Sequence, residues 1–432
     1  MNRISLIGIL DDGWAGLADA ARENLRAAQL VIGAQRTLDL IHPHLIAGVE
    51  MRSMDGALAR VPEWANAAVA EGRRVVVLAT GDPLCHGLAA WLDKKLAVPC
   101  EILPNVSTLQ LACARFHQPW DDVVIASCHG RDAGEWTPDA TPAHGLYGAM
   151  RAVAGHPHVF VFTGPENTPA RLARALLAAG YGSEEVRMSV ACRLCLPDER
   201  LFPGLSLAEA AGTEFPQPNV VLVQRTDEED NEPAFGLDDD AYQQRTPEKG
   251  LITKQEARAV SLARLRIAPG ATVWDIGAGS GSVGLEAARL APRGHVWAIE
   301  KNAGDAANAR ANARRLRRTN YSLFDGKAPD HLDGWPDPDA VFIGGSGGEL
   351  AGLIRLILTR LKPNGRLVMN FVTLENLATA TAALTEASIE WDVVQLQACR
   401  SQPILDMHRM AAQNPVWIVT ACQTGKKLDK EK

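Results

Sequence analysis

The sequence predicts an α/β protein made of two successive doubly wound halves. In both halves, short apolar runs rich in β-branched residues alternate with Ala-, Leu- and Arg-rich stretches of helical spacing. The 47% hydrophobic and 22% charged fractions suit folded cores, and 432 residues correspond to two or three domains of about 100–200 residues each. Because strands joined through helices pair in parallel, each half is expected to form a sheet covered by helices.

Each element is predicted from one apolar run or one helical stretch. In the first half the strands are expected at Ile4–Ile9, Val75–Ala79, Val123–Ser127, Val159–Thr163 and Val220–Gln224, and the helices at Leu17–Ala28, Gly87–Leu96 and Pro169–Ala179. In the second half the strands are expected at Thr272–Ile276, His295–Glu300, Ala340–Ile343, Arg366–Phe371, near Val393 and at Val416–Thr420, and the helices from Gly284 and over Ala303–Arg317 and Leu350–Leu361. No short-period repeat is present, so the halves are expected to be separate folds.

An acidic stretch separates the two halves. Residues Asp227–Asp240 hold eight acids and no base, together with Pro233 and Gly236, and such a run has almost nothing to bury. We therefore expect a linker over residues 226–249, between one domain over 1–225 and another over 250–432. Removing these eight charges from the net charge of −7 leaves +1, a balance that predicts no general binding to nucleic acid.

The first residues and the cysteines indicate a cytoplasmic protein. The start, Met1–Gly8, carries one cation and an apolar run too short for a signal peptide, and no apolar stretch is long enough to span a membrane. The eight cysteines are mostly isolated in apolar sequence, unlike those of a disulfide framework. Cys192 and Cys195 form a lone C-x-x-C without a second pair at metal-binding spacing, so no metal site is expected.

The strongest functional signal is a glycine loop between a predicted strand and a predicted helix. Residues Val273–Gly281 read Val-Trp-Asp-Ile-Gly-Ala-Gly-Ser-Gly. Glycines here let backbone N–H groups approach a ligand, and the following helix presents its positive N-terminus. Glu300 ends the next strand, where a carboxylate can accept hydrogen bonds from both ribose hydroxyls. Ser282 occupies the position of the third glycine in a nicotinamide-binding fingerprint, which argues against that cofactor. The loop taken alone is also consistent with a tight turn that binds no ligand.

The loop resembles the donor site of class I, Rossmann-like methyltransferases that use S-adenosylmethionine (SAM). The resemblance rests on Asp275, Gly277, Ala278, Gly279, Ser280, Gly281 and Glu300. It implies that Asp275 supports the ammonium end of SAM, that the loop faces the methionine and ribose parts, and that Glu300 holds the ribose. Phe342–Gly347 lacks the Pro-Pro-aromatic motif of enzymes that methylate amino groups of bases or glutamine, and its glycines leave space for a bulky flat substrate.

Further segments of the second half resemble the decarboxylating corrin methyltransferase module of cobalamin biosynthesis. These segments are Gly250–Arg258, Asp325–Pro329, Phe342–Gly347 and Asn414–Val416. The resemblance implies SAM contacts from Thr253, Gly277–Gly281, Glu300 and Ala328. One departure, Ala257 where the family usually has Val, is expected to change packing only.

The first half resembles the tetrapyrrole (class III) methyltransferases, whose fold has two α/β subdomains. The resemblance spans residues 3–225 and rests on the Gly-Asp-Pro turn in Gly81–Gly87 and on the loop in Leu103–Ala112. It implies donor contacts from Gly81, Asp82, Leu84, Ser107 and Thr108. By spacing alone, the two segments are a strand-ending turn and a loop into a helix. Leu10 departs from the family's G-x-G-x-x-G-like loop by replacing its middle glycine, and a side chain there can narrow the mouth of the site.

The two modules in this order resemble the bifunctional C-methyltransferases of cobalamin biosynthesis over nearly the whole chain. That resemblance implies two SAM sites, methylation of carbons 5 and 15 of the tetrapyrrole precorrin-6B, and loss of carbon dioxide from its carbon-12 acetate to give precorrin-8X. The second half is expected to be the decarboxylating one. Oligomers are common in both families, so self-association is expected, with no nucleic-acid or membrane partner.

Substrate-binding and proton-transferring residues are less sharply indicated. Arg131 and Arg258 are cations in segments where they can bind substrate carboxylates. His331, Asp325 and Glu375 lie in regions suited to proton transfer, but a structural role explains each of them equally well. No catalytic residue is therefore assigned.

Two other functions stay open at this point. The basic run Arg310–Arg318 can bind a phosphate backbone as part of an RNA methyltransferase, or it can be a solvated helix face, because Arg314 and Arg318 lie four residues apart. The chain can also be a donor-binding scaffold whose first site Leu10 has silenced.

Overall fold

The computed structural model describes residues 4–85, 88–226, 233–245 and 252–423, which form three large β-sheets and a separate hairpin. Expectations attached to Gly87, Gly250, Leu251 and residues 227–232 and 246–249 lie outside these ranges. Within them, every helix is too short or too polar to cross a lipid bilayer. All eight cysteines are described, and none forms a disulfide.

The first sheet is fully parallel and occupies the N-terminal quarter of the chain, with the strand order β3-β2-β4-β1-β5. Its central strands are buried on both faces between two apolar clusters, which is why they read as continuous apolar runs. The elements are β1 (Ile4–Ile9), α1 (Asp19–Ala27), β2 (Leu30–Gly33), α2 (Gln35–Ile41), β3 (Glu50–Ser53), α3 (Val61–Ala70), β4 (Val75–Thr80), α4 (Leu88–Asp93) and β5 (Glu101–Leu103).

The second sheet is mixed, with the strand order β6-β7-β10-β8-β9. Only its β6–β7 pair is parallel, while the other neighbours run antiparallel. The elements are α5 (Thr108–Arg115), β6 (Val124–Ser127), α6 (Tyr147–Gly155), β7 (His158–Phe162), α7 (Pro169–Ala178), β8 (Val186–Cys192), β9 (Arg200–Ser206), α8 (Leu207–Ala211) and β10 (Asn219–Arg225). The first two sheets give the N-terminal half the two α/β subdomains expected of it.

The third sheet carries the glycine loop and has the order β13-β12-β11-β14-β15-β19-β16, parallel except at β19, which pairs antiparallel with β15 and β16. Apolar clusters cover both of its faces, as in a Rossmann-like domain. The elements are α9 (Gln255–Leu265), β11 (Thr272–Ile276), α10 (Ser282–Leu290), β12 (His295–Glu300), α11 (Ala303–Arg315), β13 (Tyr321–Asp325), β14 (Ala340–Ile343), α12 (Leu350–Arg360), β15 (Arg366–Phe371), α13 (Leu374–Glu386), β16 (Glu390–Leu396), β17 (Cys399–Ile404), β18 (Met407–Ala412) and β19 (Val416–Cys422).

Part of the acidic stretch is packed, contrary to the expectation of a bare linker. Tyr242 is 2% exposed and donates a hydrogen bond from its hydroxyl to Glu286 at 2.8 Å. Asp239 accepts hydrogen bonds from Arg258 and Arg400. An acidic run can pack when arginines supply its counter-charges, and here they come from 19 and 161 residues further along the chain.

The basic run Arg310–Arg318 is partly engaged by the N-terminal half and partly exposed, since Arg314 and Arg315 face solvent. Arg310 binds Asp139 of the N-terminal half at 2.9 Å, and Arg317 binds Glu185 of that half at 2.6 Å. The backbone at Gly180 also approaches Arg314 so closely that a Cβ on this glycine would overlap the Arg314 carbonyl. The end of α11 therefore forms part of the interface between the two halves.

Candidate active sites

The glycine loop after β11 has the backbone shape of a ligand cradle. Gly277, Gly279 and Gly281 have φ angles of +71°, +57° and +79°, a region that side-chain-bearing residues rarely adopt. A Cβ on Gly277 would lie 2.5 Å from the carbonyl oxygen of Gly345 in the loop after β14. The loop therefore needs glycine both for its own conformation and for its contact with the neighbouring strand end.

Glu300 closes the cradle from the adjacent strand. Its Oε2 accepts a hydrogen bond from the N–H of Gly279 at 2.9 Å, and its Oε1 accepts one from the N–H of Asn302 at 2.8 Å. Each carboxylate oxygen has a second lone pair, so the group can still accept from hydroxyls. These positions fit the predicted ribose contact.

Asp275 is buried beneath the first turn of α10. A Cβ on Gly284 would overlap its carboxylate, and its side chain is 1% exposed. Among the described residues, no group forms a hydrogen bond to either carboxylate oxygen. Burial raises the pKa of Asp275 to about 7, an effect that the nearby N–H of Gly284 offsets in part. The interaction of Asp275 with the ammonium group of SAM stays a prediction.

The carboxyl ends of β13 and β14 complete the rim of this site. The turn that begins at Asp325 brings in Lys327, whose side chain packs over Gly347, and Ala328, which is buried. Apart from its chain neighbours, no described residue has a heavy atom within 4 Å of a Cβ built on Gly345, so this part of the rim has open space. The open space agrees with room for a flat substrate, as the glycine run indicated.

Arg258 does not bind substrate carboxylates, and that expectation is wrong. Its side chain is 0% exposed, and its Nε donates to Glu286 at 2.7 Å. Its other nitrogens donate to Asp239 and to the carbonyl oxygens of Thr253 and Leu237. Arg258 is thus a structural cation that fixes the backbone at Thr253, itself half-buried just before α9.

The N-terminal half forms its own cradle at the carboxyl ends of β1, β4 and β5. A Cβ on Gly8 would overlap the carbonyl oxygen of Gly81 and lie 2.7 Å from the nitrogen of Asn105. Gly81 has a φ angle of +69°, and a Cβ there would lie 3.3 Å from the Cα of Ser107. Three loops distant in sequence therefore meet where parallel strands end, a common place for ligands.

The predicted donor contacts border this cradle. Ser107 begins α5 as a capping box with Gln110, so the N–H groups beside Thr108 start a helix. Asp82 accepts a hydrogen bond from the N–H of Leu84 at 2.9 Å, and Leu84 is 62% exposed. Leu84 therefore places an exposed apolar side chain beside this cradle.

Leu10 is 5% exposed, so its side chain does not project into solvent. The next residue, Asp11, pairs with Arg36 at 2.8 Å, and its Oδ1 has no hydrogen-bond partner within the described chain. Burial raises the pKa of Asp11, and Arg36 and Arg193 oppose that rise. Whether Leu10 impairs donor binding stays a prediction to test.

Arg131, the other predicted carboxylate ligand, is exposed in the loop after β6. Asn167, which sequence reasoning missed, holds this loop by donating to the carbonyl oxygens of Cys128 and Gly130 at 2.9 and 3.3 Å. Its only sequence signal is a polar residue beside the Thr163–Gly164 turn, which is too weak to identify it. A role for Arg131 in substrate binding stays a prediction.

Comparison with known proteins identifies a methyltransferase family for each half of the chain. Residues 244–422 match the family described as the precorrin methyltransferase domain, and residues 3–210 match the tetrapyrrole (corrin/porphyrin) methylases. A precorrin-6Y C(5,15)-methyltransferase [decarboxylating] from Sinorhizobium sp. is 31% identical over 417 residues, which cover 96% of this chain and 94% of the relative. The chain belongs to the precorrin-6Y C(5,15)-methyltransferase (decarboxylating) family. It is accordingly a decarboxylating, SAM-dependent methyltransferase of cobalamin biosynthesis, as the resemblance of its halves implied.

Two further proteins are each similar to part of the chain. A cobalt-precorrin-6B C(15)-methyltransferase (decarboxylating) from Salmonella typhimurium is 39% identical over 173 residues, which cover 40% of this chain and 88% of the relative. The crystal structure of a precorrin-6Y C5,15-methyltransferase from Geobacter metallireducens is 40% identical, covers 44% of this chain and 100% of its own, and has a TM-score of 0.42.

A cavity of about 1010 Å³ lies between the two halves but belongs to neither donor site. Gly294 and Asn320, which precede β12 and β13, line it together with Arg151 and Tyr147 of α6. It is therefore at the amino ends of β12 and β13, whereas the glycine loop is at the carboxyl ends. The two cradles, and not this cavity, are the candidate active sites.

Proposed function

We propose that this chain binds SAM at two sites and methylates carbons 5 and 15 of precorrin-6B, with loss of the carbon-12 acetate as carbon dioxide, to give precorrin-8X. The observation that carries the proposal is the presence of two separate glycine cradles, at the strand ends of two unlike sheets. Two methyl groups require two donor molecules, and two cradles provide a place for each.

The C-terminal cradle is proposed to methylate carbon 15 and to decarboxylate. The Salmonella typhimurium relative, whose name states both of these activities, matches 40% of this chain at 39% identity. The precorrin methyltransferase domain family matches the C-terminal half, and the tetrapyrrole methylases match the N-terminal half. Methylation of carbon 5 is then left to the cradle formed by Gly8, Gly81 and Ser107.

The residues of both cradles suit a sulfonium donor. Bound SAM supplies a methyl group that is already activated, so the protein mainly has to hold the accepting carbon at near-attack distance. In the C-terminal cradle, the N–H groups of the glycine loop and the carboxylate of Glu300 would hold the donor. In the N-terminal cradle, Gly81–Leu84 and Ser107–Thr108 would do so. The conjugated ring of the substrate can accept the electrons released by decarboxylation, which a partly enclosed site favours by removing the carboxylate from water.

Proton transfer is not assigned to a particular side chain. Asp325 is bound by Arg310 through two hydrogen bonds of 3.0 Å, and the ring of His331 packs against Phe324. Glu375 is exposed in the first turn of α13. Contacts to Arg310 and Phe324 give Asp325 and His331 structural roles, so no general acid or base is proposed.

Product mass after anaerobic incubation with precorrin-6B and SAM tests the proposal. A gain of two methyl groups with loss of one carbon dioxide is the expected result. One methyl group plus loss of carbon dioxide would mean that the N-terminal site is idle, as a silencing effect of Leu10 predicts. An unchanged substrate would contradict the proposal and direct the assay to cobalt-containing substrates.

RNA methylation is not favoured. Two arginines of the basic run on which it depended, Arg310 and Arg317, are engaged by Asp139 and Glu185 of the N-terminal half. The precorrin-type relative from Sinorhizobium sp. also covers 96% of the chain. No nucleic-acid partner is therefore proposed.

Self-association is proposed through the β17–β18 hairpin. It carries apolar side chains that are open to solvent, with Leu405 at its tip 93% exposed and Met410 on β18 66% exposed. Exposed apolar patches of this kind mark interaction surfaces. Light scattering on the wild type and on a Leu405→Lys, Met410→Lys double variant tests this assignment, since the variant should be the smaller species.

A further inference from the structure

Arg310 joins the two halves of the chain beside the C-terminal donor site. From α11, its Nε donates to the Asp139 carboxylate at 2.9 and 3.2 Å. Its Nη1 and Nη2 each donate to Asp325 at 3.0 Å, and Nη2 also donates to the carbonyl oxygen of Leu323 at 3.2 Å. A guanidinium is planar, so a partner that holds its Nε edge also sets the direction of its Nη edge.

Asp325 is the strand neighbour of the predicted ribose ligand. It stands opposite Glu300 in the β12–β13 register, and the N–H of the following residue, Gly326, donates to the Glu300 carbonyl at 3.0 Å. The turn that Asp325 begins then leads to Ala328, a predicted SAM contact. The side chain of Asp325 is 65% exposed, so little besides Arg310 restrains it.

The segment that contains Asp139 is itself held firmly against the C-terminal sheet. Ser322 donates to the carbonyl oxygen of Ala140 at 2.9 Å, and its hydroxyl then accepts from Nε2 of His295 at 2.9 Å. That leaves Nδ1 of His295 as the acceptor for the hydroxyl of Tyr147, also at 2.9 Å. Burial lowers the pKa of His295 to about 3, which keeps the ring neutral and preserves these three hydrogen bonds. Asp139 is thus presented from a fixed backbone.

We propose that Asp139 of the N-terminal half is a positioning residue for the C-terminal donor site, acting through Arg310 on Asp325 and on the turn to Ala328. The C-terminal site of this chain then depends on the N-terminal half for its full donor affinity. The inference deepens the proposed function, and it rests on that function only in assigning Asp325–Ala328 to the donor site.

Hydrogen–deuterium exchange and donor-product binding test this role in the full chain. Asp139→Ala should speed exchange in residues 323–330 and leave residues 282–290 unchanged. Gly8→Ala is expected to close the N-terminal cradle, so in that background only binding to the C-terminal site is measured. There Asp139→Ala should weaken binding of S-adenosylhomocysteine about 3- to 10-fold. Arg310→Lys should have the same effects as Asp139→Ala, since one ammonium cannot bridge two carboxylates in this geometry.

Glu185→Ala is the matched control, because it removes another ion pair of the same interface, with Arg317, near the amino end of β13, whereas Asp325 is at the carboxyl end of that strand. It should leave exchange in residues 323–330 and the affinity for S-adenosylhomocysteine within twofold of wild type. The proposal is overturned if Asp139→Ala changes neither readout, or if Glu185→Ala changes both equally. Exchange is measured without precorrin, so a failure of methyl transfer would count against the proposed function alone.

Discussion

The Oε2 of Glu300 accepts a hydrogen bond from the N–H of Gly279 at 2.9 Å, which couples the end of β12 to the glycine loop after β11. One carboxylate therefore shapes the loop and faces the place predicted for the ribose. The hydrogen bonds from Gly279 and Asn302 give one reason for an acid at the end of this strand, and the predicted ribose contact would give a second.

Glu300→Gln should weaken donor binding at the C-terminal site. The amide keeps the shape but loses the charge and presents one nitrogen that cannot accept from N–H or hydroxyl groups. Loss of charged hydrogen bonds worth about 1.5–3 kcal/mol corresponds to about 10- to 150-fold in Kd for S-adenosylhomocysteine by calorimetry. Glu375→Gln, at an exposed position on α13, is the control and should bind as wild type.

Gly8→Ala and Gly277→Ala should each close one cradle. The new Cβ would overlap the Gly81 carbonyl in the first case and lie 2.5 Å from the Gly345 carbonyl in the second. With precorrin-6B, Gly8→Ala should yield one methyl addition plus loss of carbon dioxide, and Gly277→Ala should retain the carbon dioxide. Gly352→Ala, which meets open space on α12, should give the wild-type product. Equal loss of both reactions in both variants would contradict independent sites.

Arg258→Met should destabilise the C-terminal half strongly. It leaves Glu286, itself 2% exposed, as a buried charge without its cation, which costs about 3–5 kcal/mol. Arg264→Met on the same helix is the matched control, since its pair with Asp392 is largely exposed and should change the free energy of unfolding by under about 1 kcal/mol. Adding Glu286→Gln to Arg258→Met should recover part of the stability, because it removes the uncompensated charge. Calorimetric unfolding measures all three changes.

The raised pKa of Asp275 predicts a pH-dependent stability. Between the ordinary carboxyl pKa of 3.8 and about 7, the folded state holds a proton on Asp275 that the unfolded state has lost. Stability contributed by this group therefore falls as the pH rises through that window and is constant above it. Without donor, Asp275→Asn should gain stability relative to wild type between pH 4 and pH 7, by an amount on the order of a few kcal/mol. A difference that does not change with pH would show that Asp275 is ionised throughout.

Much of the fold follows from local patterns in the sequence. Ile4–Ile9, Thr272–Ile276, His295–Glu300, Ala340–Ile343 and Arg366–Phe371 were predicted at the bounds the structure has, because buried parallel strands read as short apolar runs. The β17–β18 hairpin was not predicted, since its strands are exposed and show no apolar alternation. The positive φ angles of Gly81, Gly277, Gly279 and Gly281 are local requirements, whereas the close contacts of Gly8 and Gly277 with distant loops come from the tertiary structure.

What the sequence by itself determined is therefore a part of the strands, chiefly buried ones, together with the two glycine loops and the acid at Glu300. Only the tertiary structure decided the partners of the charged groups. Arg258 was expected to meet substrate and instead pairs with Glu286, while Arg310 was expected to meet solvent or RNA and instead pairs with Asp139, 171 residues away. The physical reason is that periodicity records which face of an element is buried, whereas a charge is satisfied by whichever partner the packed chain brings within reach.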